Sequence, residues 1–474
     1  MSKFNTAVQT GPDTTNRAGG EAFSLNDQMT LVSEVLTSLV KPRYYRSESV
    51  FLSDLRDRLS RVDPLFAAKL AVYARTKFNM RSISHVIAAW VAKNIKNEYW
   101  LQAFFDKIVV RVDDMTEIIS LYQADADTRS NGKIKLPGSL KRGFRRAFNR
   151  FNGYQLAKYK MEGKQWSLID VVNMIRPIPT AENAEALRQL VADELRQTDT
   201  WESMMSAAEG NKADVSRVWH YLLTENKLGY MALLRNLRNI YTQADSESLD
   251  IALGQLTDPE RVAKSRQLPF RFSSAYEQLY ETEPKVLAAV SDAMDISVRN
   301  VPKLDNTVVV LDVSGSMKGQ PINIGSVFAA ALVKSCEADL VTFSGEAVYE
   351  AVNPRDSVIS IANALKKGVR WTGTDFKPIF TTLKRSYDRI IVLSDMQGWI
   401  QFETPVEEVK AYKKRFDCDP WIYSFDLAGF GTSQFKLNDK LLMLAGFSEK
   451  VLSLMHNLEK DPSAMINDVL ATVI

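Results

Sequence analysis

The sequence predicts a multi-domain protein in which an α-solenoid of paired helices is followed by a doubly wound α/β domain. Three observations support this fold class. At 474 residues the chain is longer than one ordinary domain. From about residue 25 to 290, apolar residues recur at helical spacing. Beyond residue 300, short β-branched runs alternate with helical stretches.

The helical part follows a polar segment, residues 1–20, which is predicted to be a flexible lead-in. Pro64 starts the run PLFAAKLAVYARTKF, in agreement with the preference for proline in the first helical turn. The next run, RSISHVIAAWVAKNI, follows after a very short turn. Short turns between amphipathic helices are typical of α-solenoids, so residues 21–300 are predicted to curve into a ring or horseshoe.

Residues 301–474 are predicted to form the α/β domain. Strands are expected at 306–312, 338–344, 388–395 and 420–427, and helices at 321–335, 356–367 and 376–386. Strands that alternate with helices form a parallel sheet that is covered on both faces. Binding sites in such sheets lie beyond the carboxyl ends of the strands, so the residues after each strand are the first candidates.

The composition is that of a soluble globular protein, with 45% hydrophobic and 25% charged residues. No apolar run reaches the ~18 residues that a membrane span needs, and the polar N-terminus lacks the apolar core of a secretory signal. Cys336 and Cys418 are too few for a disulfide framework. These features predict a reduced, cytoplasmic protein with no membrane partner.

Oxygen-bearing side chains follow the first predicted strand of the α/β domain and recur at two later points. The run DVSGSM follows from strand 306–312, the loop WTGTD contributes a threonine, and an aspartate ends strand 388–395. Few carboxylates with several hydroxyls suit a small hard cation, so the sequence predicts a divalent-cation site with Mg²⁺ as the expected ion. The predicted ligands are Asp312, Ser314, Ser316, Thr374 and Asp395, with Thr372 as the alternative to Thr374.

This ligand set resembles the metal-ion-dependent adhesion site of von Willebrand factor A domains. That site has the form Asp-x-Ser-x-Ser with a distant threonine and a distant aspartate. All five positions have a candidate here, in the same order, which is more specific than Asp-x-Ser-x-Ser alone. The resemblance implies that residues 301–474 form a von Willebrand A-like domain.

A basic helix is predicted in the helical part. Between Asp127 and Glu162 the chain has ten basic residues and no acid. In the run SLKRGFRRAFNRF, residues 139–151, helical geometry places the cations on one arc and the aromatic side chains on the opposite face. Such a cationic stripe is typical of a surface that binds nucleic-acid phosphates. The arc consists of Lys141, Arg142, Arg145, Arg146 and Arg150.

Several segments resemble the Ro autoantigen family, which is built on the TROVE domain. LPGSLKRGFRRAFNRFNGYQLAKYK resembles the segment that carries the family's basic helix, and YMALLRNLRNI resembles its Ala-Leu-Leu-Arg-Asn helix. TTNRAGGEAFSLNDQMTL resembles the N-terminal entry of the family. The resemblance implies a ring of HEAT-like helical repeats, residues 21–300, closed by the von Willebrand A-like domain.

Ro-like proteins bind small noncoding Y RNAs on the outer surface of the ring, and they take single-stranded 3′ ends of misfolded RNAs into its central hole. The resemblance therefore implies an RNA-binding protein of a ribonucleoprotein, acting in RNA quality control or processing. Bacterial relatives can link a Y RNA to an exoribonuclease, which would be a further partner. The implied outer RNA surface consists of Lys141, Arg142, Arg145, Arg146 and Arg150, with Lys158, Lys160 and Arg176 as weaker additions.

One segment departs from the family pattern. WSLIDVVNMIRP, residues 166–177, resembles a helix that in animal members carries histidines at the RNA surface, whereas this chain has Leu168, Asn173 and Met174 there. A base- or sugar-specific contact is therefore not carried over to this chain. Phosphate binding is carried over, because it needs only the cations.

No catalytic motif is evident, so the protein is predicted not to be an enzyme. His85, His220 and His456 lie on distant segments, and the sequence has neither a nucleophile elbow nor a phosphate loop. A metal-dependent nuclease is disfavoured, because nucleases use carboxylate-rich two-metal sites. The alternative to RNA binding is an adaptor that binds a protein partner through the cation and has an incidental basic surface.

Overall fold

The computed structural model describes most of the chain, and its fold is mostly helical with one six-stranded sheet. Within the described residues, no helix is both long enough and apolar enough to cross a membrane. Three residues singled out from the sequence, Lys160, Thr372 and His456, lie outside the described ranges. Those ranges are 12–16, 18–24, 27–36, 48–124, 129–130, 133–159, 166–195, 201–208, 211–301, 303–353, 355–370, 373–398, 404–428, 432–435, 440–444, 455, 459 and 464–474.

Helices dominate the described chain before residue 300, as the apolar spacing predicts. They are α1 Asp27–Leu36, α2 Glu48–Arg61, α3 Pro64–Lys77, α4 Ser82–Asn94, α5 Leu101–Lys107, α6 Asp114–Gln123, α7 Gly138–Phe148, α8 Gly153–Lys158, α9 Leu168–Ile175, α10 Ala184–Val191, α11 Trp201–Ala207, α12 Lys212–Thr224, α13 Tyr230–Gln243, α14 Ser246–Thr257, α15 Pro259–Ser265, α16 Pro269–Gln278 and α17 Pro284–Ser297. Later helices are α18 Gln320–Cys336, α19 Val358–Lys367, α20 Lys377–Thr382, α21 Val406–Phe416 and α22 Ala464–Leu470.

Local capping signals fix several helix starts. Asp63 accepts a hydrogen bond from the backbone N–H of Phe66 at 3.1 Å, and Pro64 occupies the first turn of α3. Ser167 and Asp170 form a capping box at the start of α9. These side chains satisfy backbone N–H groups that a helix leaves unpaired at its first turn. The same residues are visible in the sequence, which is why these helix starts are predictable.

The strands are β1 Thr14–Thr15, β2 Glu21–Ser24, β3 Arg129–Ser130, β4 Lys133–Ile134, β5 Thr307–Asp312, β6 Asp339–Phe343, β7 Ala347–Tyr349, β8 Arg389–Ser394, β9 Trp421–Asp426, β10 Thr432–Ser433 and β11 Leu441–Leu444. The central sheet has the order β11-β9-β8-β5-β6-β7. Its strands are parallel except β7, which pairs antiparallel with β6. The sheet is therefore mixed, whereas the sequence predicted a parallel sheet. The strand order reverses between β5 and β8, the position where open α/β sheets place their binding sites.

Residues 12–16 and 18–24 are part of the folded structure. β1 and β2 form a hairpin, and β2 pairs antiparallel with β10. Asn16 Nδ2 donates a hydrogen bond to the Gly398 carbonyl at 2.5 Å, and Gln434 Nε2 donates to the Glu21 carbonyl at 3.2 Å. The described residues between 12 and 20 are thus ordered by strand pairing, although the sequence predicted a flexible lead-in up to residue 20.

The chain divides into two compact units. One contains Met1–Leu52 and Trp219–Met465, including the central sheet, and the other contains Ser53–Val218 and Ile466–Ile474, including α7. Within the first unit, α16 and α17 pack against α18 and α19. The compact division therefore does not coincide with the change from helices to alternating strands near residue 300.

A buried charge cluster joins α3, α4 and α6. The fully buried Asp114 carboxylate accepts hydrogen bonds from Arg75 Nη2 at 2.9 Å and Arg81 Nε at 2.8 Å. His85 Nδ1 lies 2.9 Å from Glu117 Oε2, and its Nε2 lies 3.3 Å from Asp114 Oδ1. Burial by itself lowers the pKa of His85, but hydrogen bonds to Asp114 and Glu117 raise it above 6.5. Burial alone raises the pKa of both acids, yet their hydrogen bonds to His85 lower it overall.

We expect the stability that His85 provides to depend on pH. Because folding raises the pKa of His85, its contribution is full below the unfolded value of 6.5 and is lost as the pH rises through the folded value. His85→Gln should lower the thermal unfolding midpoint by several degrees more at about pH 6 than at about pH 9. Thermal unfolding followed by circular dichroism measures this difference, and a gap that stays constant over that range would show that His85 is neutral in the fold.

Candidate functional site

The loop after β5 holds the first three predicted cation ligands. Asp312 ends the strand, and its Oδ1 accepts a hydrogen bond from the backbone N–H of Ser314 at 2.8 Å. The hydroxyl oxygens of Ser314 and Ser316 are 3.3 Å apart, and a short 3-10 helix, Gly315–Met317, shapes the turn. All three side chains are buried. The structure therefore brings three oxygen donors together in one tight loop.

Asp395 follows β8 and lies beside this loop. Its carboxylate interacts with the Ser316 hydroxyl and with the negative charge of Asp312. Its Oδ1 accepts a hydrogen bond from the backbone N–H of Gln397 at 3.2 Å. Its Oδ2 is buried and has no partner with hydrogen-bond geometry among the described residues. A buried carboxylate oxygen without a partner is costly, so a compensating cation would stabilise this arrangement.

The electrostatics of this pair fit a hard divalent cation. Burial raises the pKa of both Asp312 and Asp395, and the charge of Asp312 raises the pKa of Asp395 further. A bound divalent cation would reverse this effect, because it stabilises both charged forms. The described residues contain no group of three or more His, Cys, Asp or Glu that could hold a metal ion. The fit therefore depends on serine and threonine hydroxyls as well as on carboxylates, as Mg²⁺ allows.

The fourth predicted ligand, Thr374, is 1% exposed and lies at the same edge of the sheet. Arg370, four positions before it, is held just beyond the end of β5, where its backbone N–H donates to the Val313 carbonyl at 2.7 Å. The backbone N–H of Asp375 donates to the Ser344 carbonyl, just after β6, at 2.8 Å. No hydrogen bond in the described part of the chain joins the Thr374 side chain to the other four candidates.

Two further side chains at this edge were not predicted. Ser394 Oγ donates a hydrogen bond to Asp312 Oδ2 at 2.6 Å and so orients that carboxylate. Asp426 is 1% exposed, and its charge contributes to the raised pKa of Asp395. Each occupies the last position of its strand, β8 or β9. Both residues could have been predicted from the sequence, because they stand at strand ends, as Asp312 and Asp395 do.

The basic helix α7 packs through its aromatic face, as predicted. Leu140, Phe144 and Phe148 are fully buried, and the rings of Phe144 and Phe105 meet edge-on with centroids 6.4 Å apart. A Cβ at Gly143 would collide with Phe105, so glycine permits the close approach of α7 to α5. The helix is thus held tightly against α5, and its cations lie on the opposite arc.

Two of the five cations of this arc pair with a buried acid on α5. Arg150 donates to the Asp106 carboxylate and to the backbone carbonyls of Asp106 at 2.7 Å and Val109 at 2.8 Å. Arg146 Nε lies 3.0 Å from Asp106 Oδ2, while 66% of its side chain stays exposed. Arg150, one of the five cations predicted to bind phosphates, therefore also clamps the end of α5.

The other three cations of the arc are more weakly engaged. Arg145 Nε donates to the Ile175 carbonyl at 2.9 Å, at the end of α9. Arg142 is exposed, and its Nε donates to Gln102 Oε1 at 3.2 Å. Lys141 is partly exposed, and its side chain makes no hydrogen bond or ion pair within the described residues. Lys141 and Arg142 are thus the cations of α7 that are most available to an anionic ligand.

The weaker additions from the sequence have different positions. Lys158 ends α8, and its ammonium lies 5.6 Å from the centroid of the Tyr159 ring. The guanidinium of Arg111 lies 4.4 Å from the same centroid. Arg176 is exposed and caps α9 with a left-handed backbone, φ 50°. Lys158, Arg111 and Tyr159 therefore form one cation–aromatic cluster, which the sequence had not indicated.

The family model of the TROVE domain matches residues 24–195 and 188–303, more than half of the chain. The chain belongs to the TROVE family. The matched region contains α7 but ends before β5. The TROVE assignment therefore covers the basic helix and does not cover the carboxylates at the edge of the sheet.

Other comparisons agree with TROVE membership. Telomerase protein component 1 of mouse is 24% identical, with 49% of this chain and 12% of that protein aligned. The rat protein is 23% identical, with the same shares. The chain thus spans only about an eighth of the length of these relatives. Among solved structures, the Ro (RSR) protein of Deinococcus radiodurans has a TM-score of 0.62 and 17% identity, covering 94% of this chain and 100% of that one. This likeness shows a shared fold.

Proposed function

We propose that this protein binds RNA through the cationic face of α7. The observation that carries the proposal is the pair Lys141 and Arg142, two available cations on a helix whose opposite face is anchored in the core. Cations on a rigid helix bind phosphate oxygens without regard to base sequence. The exposed part of Arg146 extends the same surface. TROVE membership supports the same ligand class.

The finer proposal follows the Ro-like relatives. In it, a small noncoding, Y-like RNA binds the outer surface, and a single-stranded 3′ end of structured or misfolded RNA enters a ring of helical repeats. The protein then acts in RNA quality control or processing, and the bound Y-like RNA links it to an exoribonuclease. The shared fold with the Ro protein of Deinococcus radiodurans supports this proposal.

We propose in addition that the α/β part is von Willebrand A-like and holds Mg²⁺. The ligands would be Asp312, Ser314, Ser316, Thr374 and Asp395. The support is the unpartnered, buried Oδ2 of Asp395 beside the Asp312 carboxylate. The same observation favours the alternative function, a metal-dependent adaptor for a protein partner, which would leave the basic surface incidental.

RNA binding by the full chain tests the main proposal. We expect purified protein, freed of nucleic acid, to bind a hairpin RNA with a single-stranded 3′ tail more tightly than a plain duplex of equal length. The affinity should fall steeply and linearly with salt on logarithmic axes, because each phosphate contact releases counterions. Fluorescence anisotropy at several salt concentrations measures both effects. If no RNA binds at low salt, the adaptor takes the place of this proposal.

A further inference from the structure

A pocket of about 410 Å³ lies between α13 and α16, within the first compact unit. Its volume is in the range of small-molecule sites, roughly 300 to 1,000 Å³. Nine residues line it, of which three are arginines and none is acidic. The arginines are Arg235, Arg238 and Arg271. The pocket is therefore a concentrated site of positive charge, separate from α7 and from the carboxylates at the edge of the sheet.

The packing of α13 beside α16 brings these three arginines to one pocket. Arg235 and Arg238 are three positions apart on α13, so they project from the same helix face. Arg271 stands in the first turn of α16. The rings of Tyr230 and Phe272 join the two helices with centroids 6.2 Å apart, and Phe272 is fully buried. Both walls of the pocket are therefore anchored by core packing.

The three guanidinium groups have no acidic partners in the described part of the chain. Among the residues that the structure describes, none of the three makes an ion pair, and all three side chains are exposed. Arg271 has only a ring contact, with its guanidinium 6.0 Å from the centroid of Phe270. Like charges around one concave surface repel each other, so a bound anion would relieve the repulsion. The pocket has the electrostatics of an anion-binding site.

The remaining lining residues narrow the choice of anion. Ser274 and Gln278 supply neutral hydrogen-bond donors, and Met231 and Leu234 supply an apolar surface. Guanidinium groups match phosphate oxygens in bidentate pairs. A phosphomonoester has three terminal oxygens and a charge of about −1.5 to −2 at neutral pH, whereas an internal phosphodiester has two free oxygens and one charge. Three guanidiniums suit the monoester better, and the apolar surface can contact the attached nucleoside.

We propose that this pocket binds a phosphomonoester group. The group is either the terminal phosphate of an RNA strand or the phosphate of a free nucleotide. Binding of an RNA terminal phosphate rests on the RNA-binding function proposed above. Binding of a free nucleotide does not depend on that function.

Equilibrium binding to the full chain tests the proposal. The probes are adenosine monophosphate, adenosine, and one short single-stranded RNA made with a 5′ phosphate, a 3′ phosphate or hydroxyls at both ends. We expect the nucleotide to bind and adenosine not to bind. If RNA is the source, one phosphorylated strand should bind about tenfold more tightly than the hydroxyl strand, since a charge-assisted contact is worth about tenfold or more.

Arg238→Gln on α13 and Arg271→Gln on α16 should each abolish most of the preference for phosphate. Arg299→Gln is the matched control, because it removes one exposed cation in the same compact unit that does not line the pocket. Lowering the pH from about 7.5 to 5.5 should weaken nucleotide binding, because the second phosphate pKa is about 6 and arginine stays charged. A phosphodiester shows no such dependence.

Each outcome decides a different point. Equal binding of adenosine and its monophosphate, together with equal binding of hydroxyl and phosphorylated RNA, would overturn the proposal. If Arg238→Gln weakens hydroxyl RNA as much as phosphorylated RNA, the pocket contacts the RNA backbone; the phosphomonoester proposal is then wrong and RNA binding stands. If the nucleotide binds and no RNA does, the pocket stands and the proposed function fails.

Discussion

The double variant Lys141→Glu, Arg142→Glu should bind RNA about 10- to 100-fold more weakly than the parent at moderate salt. Two phosphate contacts are lost, and two negative charges are placed where the RNA backbone lies. The slope of log affinity against log salt should also fall by roughly two in magnitude. The fold should persist, because neither side chain takes part in an ion pair within the described residues. Anisotropy titrations and thermal unfolding of both proteins measure these effects.

Two controls separate this surface from general charge effects. Lys77→Glu, Lys96→Glu makes the same change in net charge within the same compact unit and should leave the affinity close to that of the parent. Arg150→Gln should instead lower thermal stability, because Arg150 clamps the end of α5 through Asp106 and Val109. A double variant that binds as tightly as the parent would remove α7 from the proposed RNA surface.

Millimolar Mg²⁺ should raise the thermal midpoint of the unit that contains the central sheet by several degrees. A ligand present at 100 times its Kd stabilises a protein by about 2.7 kcal/mol. Asp395→Asn should abolish this shift, because it removes one of the two buried carboxylates that would face the cation. The same variant should be at least as stable as the parent without Mg²⁺, since burial and the charge of Asp312 disfavour the ionised form of Asp395. Calorimetry with and without Mg²⁺ measures both effects.

Asp388→Asn is the matched control for the metal prediction. Asp388 immediately precedes β8, whereas Asp395 immediately follows it, so the two acids lie at opposite ends of one strand. Asp388→Asn should keep the full response to Mg²⁺. If both variants respond as the parent does, the buried carboxylates do not hold the cation, and the von Willebrand A-like assignment loses its main support.

The strands of the sheet were largely predictable, because buried parallel strands are continuous β-branched runs. The run predicted at 306–312 is observed as Thr307–Asp312, and that predicted at 388–395 is observed as Arg389–Ser394. The short edge strands Ala347–Tyr349 and Leu441–Leu444 were not predicted. Each is only three or four residues long, so neither has enough residues to establish a period.

The site residues that follow from one segment were predictable from the sequence, whereas contacts between distant segments were not. The docking face of α7 follows from helical spacing within one segment, and the structure confirms it. The pairing of Arg150 with Asp106 could not be predicted, because the acid lies 44 positions earlier, on another helix. The acid-free stretch around α7 suggested unpaired cations, but pairing depends on which helix packs beside it. The pocket of Arg235, Arg238 and Arg271 likewise needs two helices and is not visible in either one alone.

The pairing of β2 with β10 has a consequence for how the chain is made. Ser24 pairs with Thr432, so the partner of the N-terminal strand leaves the ribosome about 400 residues later. At 5–20 residues per second, this delay is roughly 20 to 80 s. The second compact unit also waits, because Ile466–Ile474 belongs with Ser53–Val218. Each unit is therefore completed only after a segment distant in sequence has been made, whereas neighbouring helices such as α3 and α4 can pack as soon as both have emerged.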